Sequence, residues 1–291
     1  MKILVTGANG YIGAHVVSYL LNNTPHHVVA VDFCHNFIDS RAKFLSHDVL
    51  ADAANPSLYE ELGSPDALIH LAWRNGFNHK AESHITDLAG HYLFIKNMVD
   101  AGVKSVSVMG SMHEVGYYEG AVNENTPCAP LSLYGIGKNA LRQSLLVYAD
   151  GKNVSVKWLR AYYILGDNTR NKSIFSRILK WAAEGRKTFP FTMGTSKYDF
   201  IFVDELARQI SEASIQNAVD GIINVCSGKP VALKDMVERF IADNGLSIRP
   251  EYGAFPDRKY DSPAIWGDCS KIRSILENRN ADRAKQSTPL L

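Results

Sequence analysis

The chain has 291 residues, 46% of them hydrophobic and 21% charged, with 31 Lys+Arg against 30 Asp+Glu for a formal net charge of +1. That balance excludes a polybasic nucleic-acid binder, and the apolar content excludes a disordered chain. Thr6-Gly7 breaks the opening apolar run before a secretory signal is complete, and no stretch approaches the roughly 20 apolar residues of a membrane span. A cytoplasmic protein without membrane or nucleic-acid partners is expected.

In chain order, Lys2–Val5 reads as a strand, Ile12–Leu21 as a helix, and Val28–Val31 and Ala67–Leu71 as strands. A helix over Tyr92–Ala101, a strand over Ser105–Met109, a long helix through Lys138–Tyr148 and a strand over Val154–Leu159 continue the alternation. Strands alternating with helices predict an α/β fold with a parallel sheet, and continuous apolar runs such as Val28-Val29-Ala30-Val31 suit strands buried on both faces. After Gly166 the texture changes to a helix over Ser173–Glu184, a Pro/Gly/Ser-bearing segment from Pro190 to Ser196, and a helix over Leu233–Asn244. Asp199–Val203, followed by a helix from Asp204, predicts a return to the sheet. Asn280–Leu291 is polar and unpatterned and predicts a frayed end. The predicted division is a larger sheet domain over residues 1–165 and 196–226, with a small second region over 166–195 and 227–291. Cys34, Cys128, Cys226 and Cys269 stand far apart with no Cys-x-x-Cys pair and read as reduced packing residues.

Between the first strand and first helix lies Thr6-Gly7-Ala8-Asn9-Gly10-Tyr11-Ile12-Gly13, with glycines spaced G-x-x-G-x-x-G. Gly7 permits a tight turn, Gly10 lets backbone approach a pyrophosphate, and Gly13 lets helix and strand pack closely; the helix N-terminus offers free N–H groups to phosphate. Gly7, Asn9, Gly10, Tyr11, Ile12 and Gly13 are therefore the candidate cofactor-binding residues of the turn. Asp32 ends the second strand, where a carboxylate accepts hydrogen bonds from a ribose and repels a 2′-phosphate, favouring NAD over NADP. Arg41 is the residue that could answer such a phosphate if its loop folds back.

Tyr134-Gly135-Ile136-Gly137-Lys138, with Ser111 upstream and the glycine turn, resembles the extended short-chain dehydrogenase/reductase family. The resemblance spans nearly the whole chain and points to the NAD-dependent epimerase/dehydratase branch, which acts on nucleotide sugars. It is carried further by His47-Asp48-Val49, Ile69-His70-Leu71-Ala72, Leu159-Arg160-Ala161-Tyr162-Tyr163, Asp199-Phe200-Ile201-Phe202-Val203-Asp204 and Ile223-Asn224-Val225-Cys226-Ser227-Gly228. The resemblance implies a Rossmann-type doubly wound parallel sheet with a small C-terminal substrate-binding region, and a homodimer paired through the helices at Tyr92 and Lys138. It implies Tyr134 as acid/base, Lys138 as its tuner and a ribose ligand, Ser111 as substrate orienter, Asp48 and Val49 at the adenine, and Leu71 and Ala72 along the cofactor.

The chemistry is coherent by itself. Tyr134 and Lys138 lie i, i+4 on one helix face. A free tyrosine titrates at about 10, so a nearby ammonium and a nicotinamide cation are expected to favour its phenolate. Ser111 can hydrogen-bond the reacting oxygen beside Tyr134. Where the family's dehydratases carry an Asp and a Glu directly after the hydroxyl residue, this chain has Met112 and His113, which argues against elimination of water. His113 is a candidate for binding a sugar hydroxyl or acting as a second acid/base; the other nine histidines read as surface or packing residues. The family position following these, usually aromatic, is Val115.

On the substrate side Lys197 stands where the family usually has Arg, and Arg258 matches its second basic position; both are candidate diphosphate partners. The leading expectation is an NAD(H)-dependent reductase of a nucleotide-linked 4-keto-6-deoxy sugar. Alternatives are a nucleotide-sugar 4-epimerase that retains NAD, a free sugar or uronate dehydrogenase suggested by Ser111-x-His113-x-x-Gly116-Tyr117-Tyr118, and a non-catalytic dinucleotide-binding regulator.

Overall fold

The computed structural model describes the chain apart from residues 168, 169, 172, 257–261 and 288–291, with the backbone alone over 282–287. The first half runs β1 (Lys2–Thr6), α1 (Tyr11–Asn23), β2 (His27–Asp32), β3 (Lys43–Ser46), α2 (Leu58–Glu61), β4 (Ala67–His70), α3 (Ser83–Thr86), α4 (Leu88–Ala101) and β5 (Ser105–Ser111). It continues through a 3₁₀ turn (Met112–Glu114), β6 (Gly120–Val122), α5 (Leu133–Ala149), β7 (Ser155–Ala161) and β8 (Tyr163–Leu165). The remainder comprises α6 (Ile174–Ala183), β9 (Thr188–Pro190), β10 (Lys197–Phe202), α7 (Val203–Ser214), β11 (Gly221–Val225), β12 (Pro230–Ala232), α8 (Leu233–Asp243), β13 (Arg249–Glu251), β14 (Ala264–Gly267) and α9 (Ser270–Ser287).

Seven parallel strands form the main sheet in the order β11-β7-β5-β4-β1-β2-β3. Their residues are apolar on both sides because each side is covered. Val5, Ala30, Ile69 and Leu159 pack under α1, α7 and α9, whereas Leu4, Val29, Leu68, Val106 and Trp158 pack under α4 and α5. The strand order reverses between β1 and β4, which opens a crevice beyond their C-terminal ends. The glycine turn lies at that opening.

The strand over Asp199–Val203 does not return to this sheet. As β10 it joins a second sheet, β12-β10-β14-β6, with β8 also paired to it, and the return is made instead by β11. The physical reason is Asp199. Its carboxylate is fully buried and accepts the N–H groups of Ser227 at 2.8 Å, Gly228 at 2.9 Å and Gly267 at 3.1 Å, plus the Ser227 hydroxyl at 2.6 Å. A third core of Tyr162, Phe175, Phe189, Phe191, Tyr198 and Phe200 fills the space below this second sheet.

The C-terminal segment also differs from the expected frayed end. α9 continues through Ser287, its first turns anchored by Ile272 and Ile275 in the core under the main sheet. Two apolar anchors are enough because the helix lies against α7, where Arg279 Nε meets Glu212 at 2.9 Å. Among the described residues no helix is long and apolar enough to cross a membrane, and the four cysteines are unpaired.

Asp199→Ala strands three buried N–H groups, so the free energy of unfolding should fall by about 3 kcal/mol, with Asp199→Asn intermediate. Urea denaturation followed by circular dichroism reads this directly.

Candidate active site

Two contiguous cavities follow the crevice and share Gly7, Gly10, Leu71 and Trp73. The smaller, about 480 Å³, is lined by the turn, Asp32, Asp48, Val49, Leu71 and Ala72. The larger, about 930 Å³, contains Tyr11, Ile12, Gly13, Ser111, His113, Tyr134 and Lys138. Backbone proximity dictates the glycines. Gly7 has φ +67°, and a Cβ there would stand 2.6 Å from the Ala72 nitrogen; at Gly13 it would stand 2.1 Å from the Gly7 carbonyl oxygen. Gly10 is the N-cap of α1 and leaves the first turn uncovered by any side chain. These residues form a cradle fitted to a dinucleotide, with the pyrophosphate at the helix N-terminus.

At the rim Asp32 accepts the N–H of Asn9 at 2.9 Å and of Phe33 at 2.8 Å. Asn9 itself is turned from the groove: its side chain accepts the Phe37 N–H at 2.8 Å and donates to Cys34 Sγ at 3.0 Å, tying the turn to the loop after β2. Arg41 is held by Asp39 at 2.6 Å and by Asn22 Oδ1 at 2.6 Å, outside the residues that line either cavity.

At the reacting end, Ser111 closes β5 with φ −153° and caps the 3₁₀ turn. Its hydroxyl accepts the His113 N–H at 3.3 Å, while its own N–H donates to Glu114 at 2.5 Å. This reciprocal capping box sets the register: the hydroxyl, not the Met112 thioether, faces Tyr134. Glu114 is fully buried, accepts Trp158 Nε1–H at 2.8 Å, and lies 3.5 Å from Arg160 and 3.7 Å from Arg142. Ser132 begins α5 by accepting the Gly135 N–H at 3.1 Å. A Cβ on Gly135 would lie 2.2 Å from the His113 carbonyl oxygen, and one on Gly137 2.3 Å from that of His84. Only glycine at both places lets α5 press Tyr134 and Lys138 under the end of β5.

Lys138 is buried, donates to the Met109 carbonyl at 2.6 Å and lies 5.9 Å from the Tyr134 ring centre. Burial pushes Tyr134 up to about 12, with the Ser111 hydrogen bond opposing and Glu114 reinforcing, and pushes Lys138 down to about 7. The expected drop of the phenol toward neutrality therefore does not occur in the protein alone. Desolvation outweighs the Ser111 hydrogen bond, so the resting site holds a protonated phenol.

His113 is brought to the cavity, edge-on to Tyr134 at 5.9 Å between ring centres; burial and His79 push it down to about 4, so it is neutral at pH 7 and suited to hydrogen bonding. His79, read from sequence as surface or packing, also lines the cavity and stacks on Tyr134 at 4.9 Å and 12°. His70 and His91 are buried and joined, Nε2 to Nδ1, at 2.8 Å, with Thr6 Oγ1 2.8 Å from His70 Nδ1. Lys197 is not brought to the cavity: it begins β10 exposed, one residue out of phase with Tyr198 and Phe200, which line it. Arg258 lies outside the described residues. Of the groups missed, Glu114 was findable from the Ser-x-x-Glu capping pattern and the helical glycines from their cost in a helix interior. Nothing in sequence spacing marks Trp73 or His79.

Comparison with known proteins agrees with this geometry. Residues 3–226 match the model of the NAD dependent epimerase/dehydratase family, and the chain belongs to that family. It is 44% identical over 272 residues to the dTDP-6-deoxy-L-talose 4-dehydrogenase (NAD(+)) of Aggregatibacter actinomycetemcomitans, covering 92% of this chain and 99% of that protein. Among solved structures, MoeE5 in complex with UDP-glucuronic acid and NAD is 26% identical with a TM-score of 0.77, covering 95% of this chain and 93% of that one. A UDP-glucose 4-epimerase of Thermotoga maritima shares the fold at a TM-score of 0.79 and 22% identity, covering 94% and 92%.

Burial lowers His91 to about 3, well below its unfolded value, so the unfolded chain binds the additional proton. Stability should therefore fall as pH drops from about 6.5 toward 4, and His91→Gln should flatten that slope by about 1.4 kcal/mol per pH unit. Denaturant midpoints measured across this range check it.

Proposed function

We propose that this protein is an NAD-dependent oxidoreductase that interconverts a ketone and a hydroxyl at C4 of a nucleotide-linked 6-deoxy sugar. The observation that carries the reading is the 930 Å³ cavity over Ser111 and Tyr134, in which Lys138 is the sole Lys or Arg among the described lining residues and no carboxylate appears. Its remaining wall is largely aromatic and small polar, including Tyr163, Phe175, Tyr198 and Phe200. Such a wall suits an uncharged sugar with a methyl at C6. Among the described lining residues a uronate carboxylate would find no cation besides Lys138. The 44% identity to an enzyme named for a 6-deoxy sugar and NAD(+) supports the same substrate class.

The bound dinucleotide supplies or accepts the hydride. Tyr134, protonated at neutral pH, is loaded to deliver its phenol proton to the developing alkoxide in ketone reduction and takes the proton back in the reverse oxidation. Ser111 holds the reacting oxygen beside it, and the Lys138 ammonium offsets the negative charge left on Tyr134 as the phenol ionises. Asp32 stands at the adenosine ribose, where with Arg41 occupied by Asp39 it selects NAD over NADP. Arg258 completes the diphosphate site in this reading. In this reading residues 1–165 and 196–226 form the dinucleotide-binding domain and 166–195 and 227–291 the small substrate region, except that β10 pairs in the second sheet and α9 packs under the main one, and a homodimer pairs through α4 and α5, where Leu93 and Val147 are exposed apolar residues.

The test is consumption of NADH, followed at 340 nm, with a dTDP-linked 4-keto-6-deoxy sugar, compared with NADPH. NADH should be used and NADPH poorly. Interconversion of two sugar epimers without net NADH loss, by protein purified with NAD attached, establishes the 4-epimerase instead. Tyr134→Phe should lower kcat by about 10³-fold and Ser111→Ala by about 10²-fold, with the Kd for NADH changed little for either. If Tyr134→Phe keeps full biological activity, the protein is a regulator.

A further inference from the structure

Trp73 follows β4, lines both cavities and meets side chains of α3, α4 and α5. Its indole is immobilised. Nε1–H donates to His84 Nδ1 at 3.0 Å, and His84 Nε2 lies 2.8 Å from the Asn78 carbonyl, which fixes the tautomer that can accept. One ring face is covered by His91, stacked at 4.4 Å and 14°; His91 is in turn held through His70 to Thr6. Over the ring lies Lys138 Nζ, 3.8 Å from the ring centre, and the ring meets Tyr134 at 6.3 Å and 81°.

We propose that Trp73 is a positioning residue for Lys138: its π face keeps the Nζ cationic and aimed between the Met109 carbonyl and Tyr134 in a pocket that otherwise disfavours charge. The physical basis is the negative potential over the indole face, which attracts an ammonium most strongly when water is excluded. Here exclusion is nearly complete, and Lys138 is 2% exposed. Among the described residues the Met109 carbonyl at 2.6 Å accepts the hydrogen bond of Nζ, and the ring face adds an attraction that requires no further acceptor. The charged and titratable groups facing it are few. Glu114, from the 3₁₀ turn, favours the cation; Tyr134, one turn back on α5, is protonated; His70 from β4 and His91 from α4 are held neutral by burial and add no repulsion. Burial places Lys138 near pH 7, so a modest contribution from the ring decides its charge at neutral pH. The His91–His70–Thr6 chain braces the stacked ring beside the lysine.

This inference rests on the reading of Lys138 as partner of Tyr134, but it is testable without turnover. Lysine labelled with ¹³C at Cε, incorporated into the full chain without cofactor, reports Nζ protonation by its shift, with Lys138→Met assigning the resonance. Trp73→Leu keeps an apolar wall and removes the π face, so the Lys138 midpoint should fall by about one pH unit. Trp73→Phe keeps a face and should stay within about 0.3 of wild type. In the NADH assay the alkaline limb of the kcat profile, where the ammonium is lost, should move down with Trp73→Leu and not with Trp73→Phe. Should Trp73→Leu fail to fold, 5-fluorotryptophan in the unaltered sequence weakens the ring potential at constant shape and should lower the midpoint in the same direction. An unmoved midpoint with Trp73→Leu or with fluorotryptophan, or an equal shift with Phe and Leu, overturns the role. A protein inactive on every nucleotide sugar but showing the expected midpoints overturns the functional reading alone; an active one with unmoved midpoints overturns Trp73 alone.

Discussion

The missing side chains at Gly135 and Gly137 are the constraint on which the reacting end depends. The carbonyl oxygens of His113 and His84 occupy the positions where Cβ atoms would be, so α5 lies directly against the 3₁₀ turn and α3. Glycine inside a helix is intrinsically unfavourable by roughly 1 kcal/mol. Here that cost is offset by contact, and the result is that Tyr134 and Lys138 stand under Ser111 instead of a helix diameter away.

Close packing of this kind brings ionisable groups out of water, and the site is arranged around the consequences. Glu114 is satisfied by Trp158, the Ser111 N–H, Arg160 and Arg142. It thereby anchors the serine whose hydroxyl faces Tyr134. Tyr134, His70, His91 and His113 are all driven toward their neutral forms by desolvation. Lys138 is the exception in kind: it is the group whose charge the chemistry needs and whose surroundings barely permit it. A charged helper in a dry pocket requires a partner that is not itself a buried charge, since an ion pair there carries its own desolvation penalty. An aromatic face meets that requirement.

The cofactor side follows a different logic, governed by backbone. Gly7, Gly10 and Gly13 make room, the sheet's reversal between β1 and β4 makes the crevice, and Asp32 sits at its edge. Asn9 contributes by bracing the turn against the loop that follows β2, leaving ligand contact to its neighbours. The two halves meet where Leu71 and Trp73 line both cavities, so the residue after each strand end matters as much as the strand itself.

The parallel sheet, the glycine turn, Asp32, and the pairing of Tyr134 with Lys138 were legible from the amino-acid sequence because each depends on local spacing: apolar runs, three glycines between a strand and a helix, and two residues one turn apart. Placement of β10 was not legible, because Asp199 chooses its sheet by donors from Ser227, Gly228 and Gly267, remote in sequence. Nor was the helix α9, whose polar second half carries no periodic signal and is held by α7. Lys197 shows the same limit at one residue: a family position suggests a role, but strand phase turns its side chain away from the cavity. Sequence by itself determined the candidate chemical groups. Tertiary structure alone decided their ionisation and company, because burial and the neighbours Trp73 and His79 arise only when distant segments pack.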